Sequence, residues 1–131
     1  MTAVDSSSLV AVLRREPEAT EFLHIIELAQ TRLISAVAHL ETSIVLAGRG
    51  GGRTAWLPLD ALLRRASFQI VPHDAGLAEA AREAFLRFGK GRHPAALNFG
   101  DCAVHALAKT RGVPLLFKGE GFSATDLVAA V

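Results

Sequence analysis

Cysteine, net charge and long apolar runs are all scarce in this sequence, and each shortage narrows its class. The single thiol, Cys102, has no partner for an internal disulfide. Its flanks read as helix, where a buried structural cysteine is the simpler role than a reactive one. Fourteen Lys and Arg against 13 Asp and Glu leave a formal net charge of +1. No overall positive field gathers nucleic acid, so a local patch would have to hold it. No apolar stretch reaches the ~20 residues that a membrane span needs. Met1 to Val10 lacks the basic segment that opens a signal peptide. Together these absences suggest a soluble protein of a reducing cytoplasm. Several catalytic signatures are missing as well: G-x-S-x-G, G-x-x-x-x-G-K-S/T and G-x-G-x-x-G. The five histidines are scattered without zinc-finger spacing.

What remains is a chain of 131 residues, 50% hydrophobic, with no internal repeat. That length and composition suit one domain, residues 1–131, with a substantial core. Short apolar segments read as strands at Thr2–Val4, Arg32–Ala36, Phe68–Val71 and Val113–Phe117. Between them lie helical patterns. One follows Ser6-Ser7-Ser8, and one restarts at Glu16-Pro17-Glu18 with the stripe Phe22, Ile25, Ile26 and Ala29. Others run from about Val37 to Leu46, along Trp56, Leu59, Leu62 and Leu63, from Ala75 to Phe88 and from Gly100 to Lys109. Gly48 to Arg53 reads as a flexible connector, and Lys118 to Val131 as loop and tail. Strands alternating with helices predict an α/β fold: a short, mostly parallel sheet flanked by helices in three layers. In such sheets, sites form outside the carboxyl ends of the strands.

Three acids stand where that rule directs attention. Asp5 closes the first strand and Asp101 opens an otherwise apolar helix; each reads equally as a helix cap. Glu41 lies beside the apolar face of the Val37–Leu46 helix, where a charge is costly unless paired, metal-bound or turned to solvent. As a set of three they suit a hard cation with oxygen ligands, Mg²⁺ or Mn²⁺, and not zinc. Ser7, two residues after Asp5, is placed to steady a metal-bound water. Lys90, Arg92 and His93 form the one tight basic cluster near these acids, suited to a phosphate contact or to a solvated loop. His105 lies one helical turn beyond Asp101 and reads as a packed histidine.

These residues resemble a family. Asp5 with Ser7, Glu41 within Leu40–Leu46, the run Gly89–Cys102, and Pro114–Phe122 followed by Thr125-Asp126 look like VapC toxins, the PIN-domain ribonucleases of VapBC toxin–antitoxin pairs. The resemblance implies a PIN-like three-layer sandwich and an acid cluster that binds Mg²⁺ or Mn²⁺. It also implies cleavage of single-stranded or structured RNA, a homodimer, and neutralisation by a VapB-type antitoxin. Asp5 and Asp101 match the metal-binding aspartates and Glu41 the third acid. The chain departs from the pattern at Gly121, where relatives commonly carry an acid. Glu120 and Asp126 are the candidates to complete the cluster. Gly121 also keeps open a second reading, a catalytically weakened PIN-like module that binds RNA or antitoxin.

Overall fold

A computed structural model describes residues 1–131. Four parallel strands, β1 (Thr2–Val4), β2 (Arg32–Ser35), β3 (Gln69–Val71) and β4 (Leu115–Leu116), form one sheet in the order β3-β2-β1-β4. The register pairs Ala3 with Leu33 on one side and with Leu115 on the other, and Ile34 with Ile70. β1 therefore has a neighbour along both edges, and every one of its residues is buried. β3 lies at an edge and leaves Gln69 and Ile70 exposed.

Six helices cover the sheet: α1 (Ser6–Leu13), α2 (Ala19–Leu28), α3 (Ala36–Ala47), α4 (Leu57–Arg65), α5 (Ala75–Phe88) and α6 (Phe99–Arg111). α6 packs most centrally. Cys102 to Ala108 are all buried, a run apolar on every side, as an enclosed helix requires. Gly112 ends it in a left-handed conformation, φ 64° and ψ 39°, which favours glycine. One cluster of buried side chains joins both faces of the sheet, with Leu9, Ile26, Leu33, Ile34, Leu107 and Leu116 at its centre.

Strand ends and helix starts carry short polar caps. The Ser35 hydroxyl accepts from the Val37 amide at 3.1 Å, and Asp74 accepts from Leu77 at 3.0 Å. Each satisfies an amide that the helix cannot. Because the strands are parallel, the caps that follow β1, β2 and β3 fall at the same edge of the sheet.

Several boundaries differ from the sequence expectation. Pro17 lies in a turn before α2 and outside its first helical turn, which begins at Ala19. Trp56 closes a 3-10 turn over Gly52–Trp56, and its indole donates to the Ser43 carbonyl at 2.8 Å. The glycine-rich connector is thereby pinned to α3. The tail is not free either: the Leu115 amide donates to Val128 and the Ala130 amide to Leu115, both at 2.9 Å, so the last residues run beside β4.

Candidate active site

Asp5 ends β1 and caps α1, so two elements fix its backbone. Its Oδ2 accepts from the Ser7 amide at 3.1 Å and from the Ser7 hydroxyl at 2.5 Å. Ser7 Oγ in turn accepts from the Lys118 amide at 3.0 Å. Ser7 thus orients the carboxylate and ties it to the segment leaving β4. Asp5 is only 4% exposed, and its Oδ1 is buried with no protein partner. Leaving such an atom unsatisfied is expensive.

Asp101 is the third residue of α6, in a reciprocal cap with Asn98. The Asp101 amide donates to Asn98 Oδ1 at 2.9 Å, and the Asn98 amide donates to Asp101 Oδ2 at 3.0 Å. Capping engages one carboxylate oxygen and leaves the other available. Sequence reasoning missed Asn98 as the residue that holds Asp101, although the spacing Asn98-x-x-Asp101 is itself the signature of such a box.

Glu41, half-buried on α3, rests against Gly100 of α6. A Cβ at residue 100 would overlap the Glu41 carboxyl, so glycine is what lets the two helices bring this acid beside Asp101.

The three acids are electrostatically one cluster. Burial and the nearby charges of Asp5 and Asp101 push the Glu41 carboxyl up to about 7. Burial also raises Asp5; the Ser7 hydrogen bonds oppose this, and Asp101 adds to it. Asp101 is raised by burial against the opposing Asn98 bond. No cationic side chain neutralises any of them. As the side chains stand, no three Asp, Glu, His or Cys groups close around a common point. Mutual repulsion among unneutralised carboxylates favours such spreading. The donor set still fits a hard divalent cation: all oxygen, one of them an orphaned buried atom, with no soft ligand among them.

The remaining candidates fall elsewhere. Asp126, expected as a further acid of the cluster, contacts His105 at 2.8 Å, Lys109 at 2.9 Å and Arg87 at 3.3 Å. It joins the tail to the later turns of α6, and its carboxylate is already neutralised. Burial alone would raise its pKa, but the Lys109 and His105 bonds outweigh that and hold it well below the usual carboxylate range. His105 is packed as expected, 4% exposed, with its ring 5.4 Å from that of Phe88. Glu120 is exposed and makes no ion pair.

In the basic cluster, His93 Nδ1 accepts from the Ala95 amide at 3.0 Å, and its ring meets Phe88 edge-on. Arg92 donates to the Leu86 carbonyl at 3.3 Å. These two shape the loop, and Lys90 is the member whose ammonium extends without a partner. No acid neighbours Gly121: a Cβ there would meet the Ala95 carbonyl at 3.3 Å and Leu97 at 4.0 Å.

Fold and site define a class: a small α/β protein with a buried, unneutralised acid cluster at the carboxyl edge of a parallel sheet. The family model of the PIN domain matches residues 2–127. The chain belongs to the PIN-domain family. Curated relatives include "Ribonuclease VapC" of Mycolicibacterium smegmatis, 48% identical over 129 residues, covering 96% of this chain and 97% of the relative. "Ribonuclease VapC30" of Mycobacterium tuberculosis is 46% identical over 127 residues, covering 95% and 94%. Among solved structures, Mycobacterium tuberculosis VapC20, described as a Sarcin-Ricin loop cleaving toxin, superposes with a TM-score of 0.78 at 19% identity over 98% of this chain and 97% of that one. The Rickettsia felis VapBC2 structure, bound to a DNA fragment from its promoter, gives 0.75 at 14% identity over 98% and 96%. At these identities the two structures speak for the fold.

Proposed function

We propose that this chain is a VapC-type ribonuclease toxin that hydrolyses RNA phosphodiester bonds with a Mg²⁺ or Mn²⁺ ion held by Asp5, Asp101 and Glu41. The observation that carries this reading is the cluster itself. Three carboxylates, Asp5 buried and Glu41 and Asp101 partly so, lie at one cation-free corner, and the chain supplies no counter-charge. A bound divalent ion would activate a water and offset charge on the phosphate. The chain's own groups do the rest. Ser7 and the Lys118 amide hold Asp5 in one orientation, and Asn98 does the same for Asp101. Glu41 is placed to orient the attacking water or to take its proton. Lys90 lies on an exposed loop, its ammonium free to meet the anionic strand.

The partner follows from the same chemistry. An acid pocket accepts a cationic side chain, so a VapB-type antitoxin inserting Arg or Lys would neutralise it. Relatives crystallised as VapBC complexes agree with such a partner. Leu40, Ile44 and Val45 on α3 are exposed apolar residues that a homodimer or the antitoxin would cover. No helix is long and apolar enough to cross a membrane, which accords with action on RNA in the cytoplasm. The test is incubation of purified, antitoxin-free protein with an RNA pool, with and without Mg²⁺ or Mn²⁺. Metal-dependent cleavage, suppressed by the co-expressed antitoxin, is the expected result. Binding of RNA without metal-dependent cleavage would instead support the weakened module that Gly121 suggested.

A further inference from the structure

On the other side of the first turn of α6 lies a second feature that the acid cluster does not use. A cleft of about 420 Å³ opens between α5 and α6, within the size range of small-ligand sites. Phe85, Phe99, Cys102 and Ala103 make its apolar walls, and His73 and Arg82 its polar ones. Phe99, Cys102 and Ala103 stand at i, i+3 and i+4, one face of the helix. Gly100 and Asp101 turn the neighbouring face toward Glu41 and Asp5. Cleft and acids therefore lie on adjoining faces of the first turn of α6.

We infer that this cleft holds a nucleobase of the RNA strand flanking the cut phosphate, with Phe99 as its stacking face. The inference rests on the ribonuclease reading above. Phe99 is 81% exposed, the most exposed of the chain's large apolar side chains, so the core does not require its ring. Every base has a π-face, and an open aromatic beside a strand-cleaving site is a stacking platform. The half-buried His73 lines the same cleft, and its unpartnered Nδ1 would meet the polar edge of a base on rotation of the ring. Arg82 is exposed at the cleft and makes no ion pair, so its charge faces the phosphates of a strand crossing the tip of α6. Leu40, Ile44 and Val45 on α3 form the purely aliphatic face, and they lie outside the cleft. Base stacking also answers an electrostatic difficulty: three acids repel the phosphate they must receive, and affinity has to come from beside them.

The test uses full-length protein with Asp101→Asn, which prevents cleavage, titrated with a short labelled single-stranded RNA. Phe99→Leu keeps the bulk and loses the ring; Phe99→Trp keeps a ring. Leu should weaken binding by about tenfold, in line with one stacked base, and Trp should leave it at the parental level. Scanning the RNA with single abasic sites should find one position whose loss matters in the parent and not in Phe99→Leu. Equal affinity for Leu and parent, or identical abasic profiles in both, overturns the inference. So does a shift of Phe99→Leu from dimer to monomer in light scattering with RNA affinity unchanged, which would assign the face to a second copy. Failure of the parent to bind RNA would bring down the ribonuclease reading as well, whereas failure confined to Phe99 leaves that reading standing.

Discussion

α6 has an acid cluster beside its start and a lone carboxylate toward its end, and the two are built on opposite principles. At its start, Asp101 joins Asp5 and Glu41 with no cation among them, and all three carboxyls are pushed toward protonation. Toward its end, Asp126 is surrounded by His105, Lys109 and Arg87 and is driven the other way. A carboxylate that serves the fold brings its counter-charge with it. The three at the start of the helix have none, and the fold bears their repulsion. Asp126 was an attractive metal candidate from sequence, and this contrast removes it.

The largest effect expected from breaking the comparison is at the start of the helix. Asp5→Asn or Asp101→Asn should lower RNA cleavage at least about a hundredfold, while thermal melting shows the fold intact. An amide can still accept from Ser7 or Asn98 but binds a hard cation poorly. Full activity in either variant would end the metal-site reading. Asp126→Ala should do the reverse. Losing hydrogen bonds to charged groups, and leaving the buried His105 ring nitrogen without its acceptor, should cost about 1–3 kcal/mol of stability. Cleavage per folded molecule should not change; a drop comparable to that of Asp101→Asn would put Asp126 back at the site.

Acidity should separate the ends next. The raised carboxyls hold protons in the folded state that the unfolded chain has already released. Their favourable contribution is complete below the ordinary carboxylate range and is lost as pH rises through about 7, the value for Glu41. Metal-free protein should therefore melt lower at pH 8 than at pH 5, and added Mg²⁺ should reverse the loss at the higher pH. Asp126 has the opposite sign, contributing above the ordinary range and losing its contribution only as the solution becomes strongly acid. Melts in EDTA across pH, with and without Asp126→Ala, check both signs. The smallest effect belongs to Gly121→Asp. Its side chain would start against the Ala95 carbonyl, with no acid among its neighbours, so Mn²⁺ affinity should stay within about twofold of the parent. A large gain would mean that this position is a lost ligand after all.

The acid cluster was legible because each member sits at an interruption of a pattern. Asp5 stops a strand, Asp101 opens an apolar helix, and Glu41 breaks an apolar stretch. Parallel topology then carries strand ends to one edge, and that too can be read from alternating elements. The bounds of α5 also followed from local signals, Asp74 at one end and Gly89 at the other. Asp126 was illegible for the opposite reason. Its partners lie 17, 21 and 39 residues away in sequence (Lys109, His105 and Arg87), and only the docking of the tail brings them together. The roles of His93 and Arg92 were hidden likewise. A basic loop looks the same on paper whether its side chains reach for a ligand or fold back onto Phe88 and Leu86.

The bond from the Lys118 amide to Ser7 spans 111 residues of sequence, and it sets a schedule for synthesis. Asp5 and Ser7 leave the ribosome long before the Lys118 amide that fixes Ser7, and one edge of β1 stays open until β4 has been made. Fragments that stop short of residue 118 therefore lack the finished corner. A cell translating this message meets the completed corner only once residue 118 has emerged.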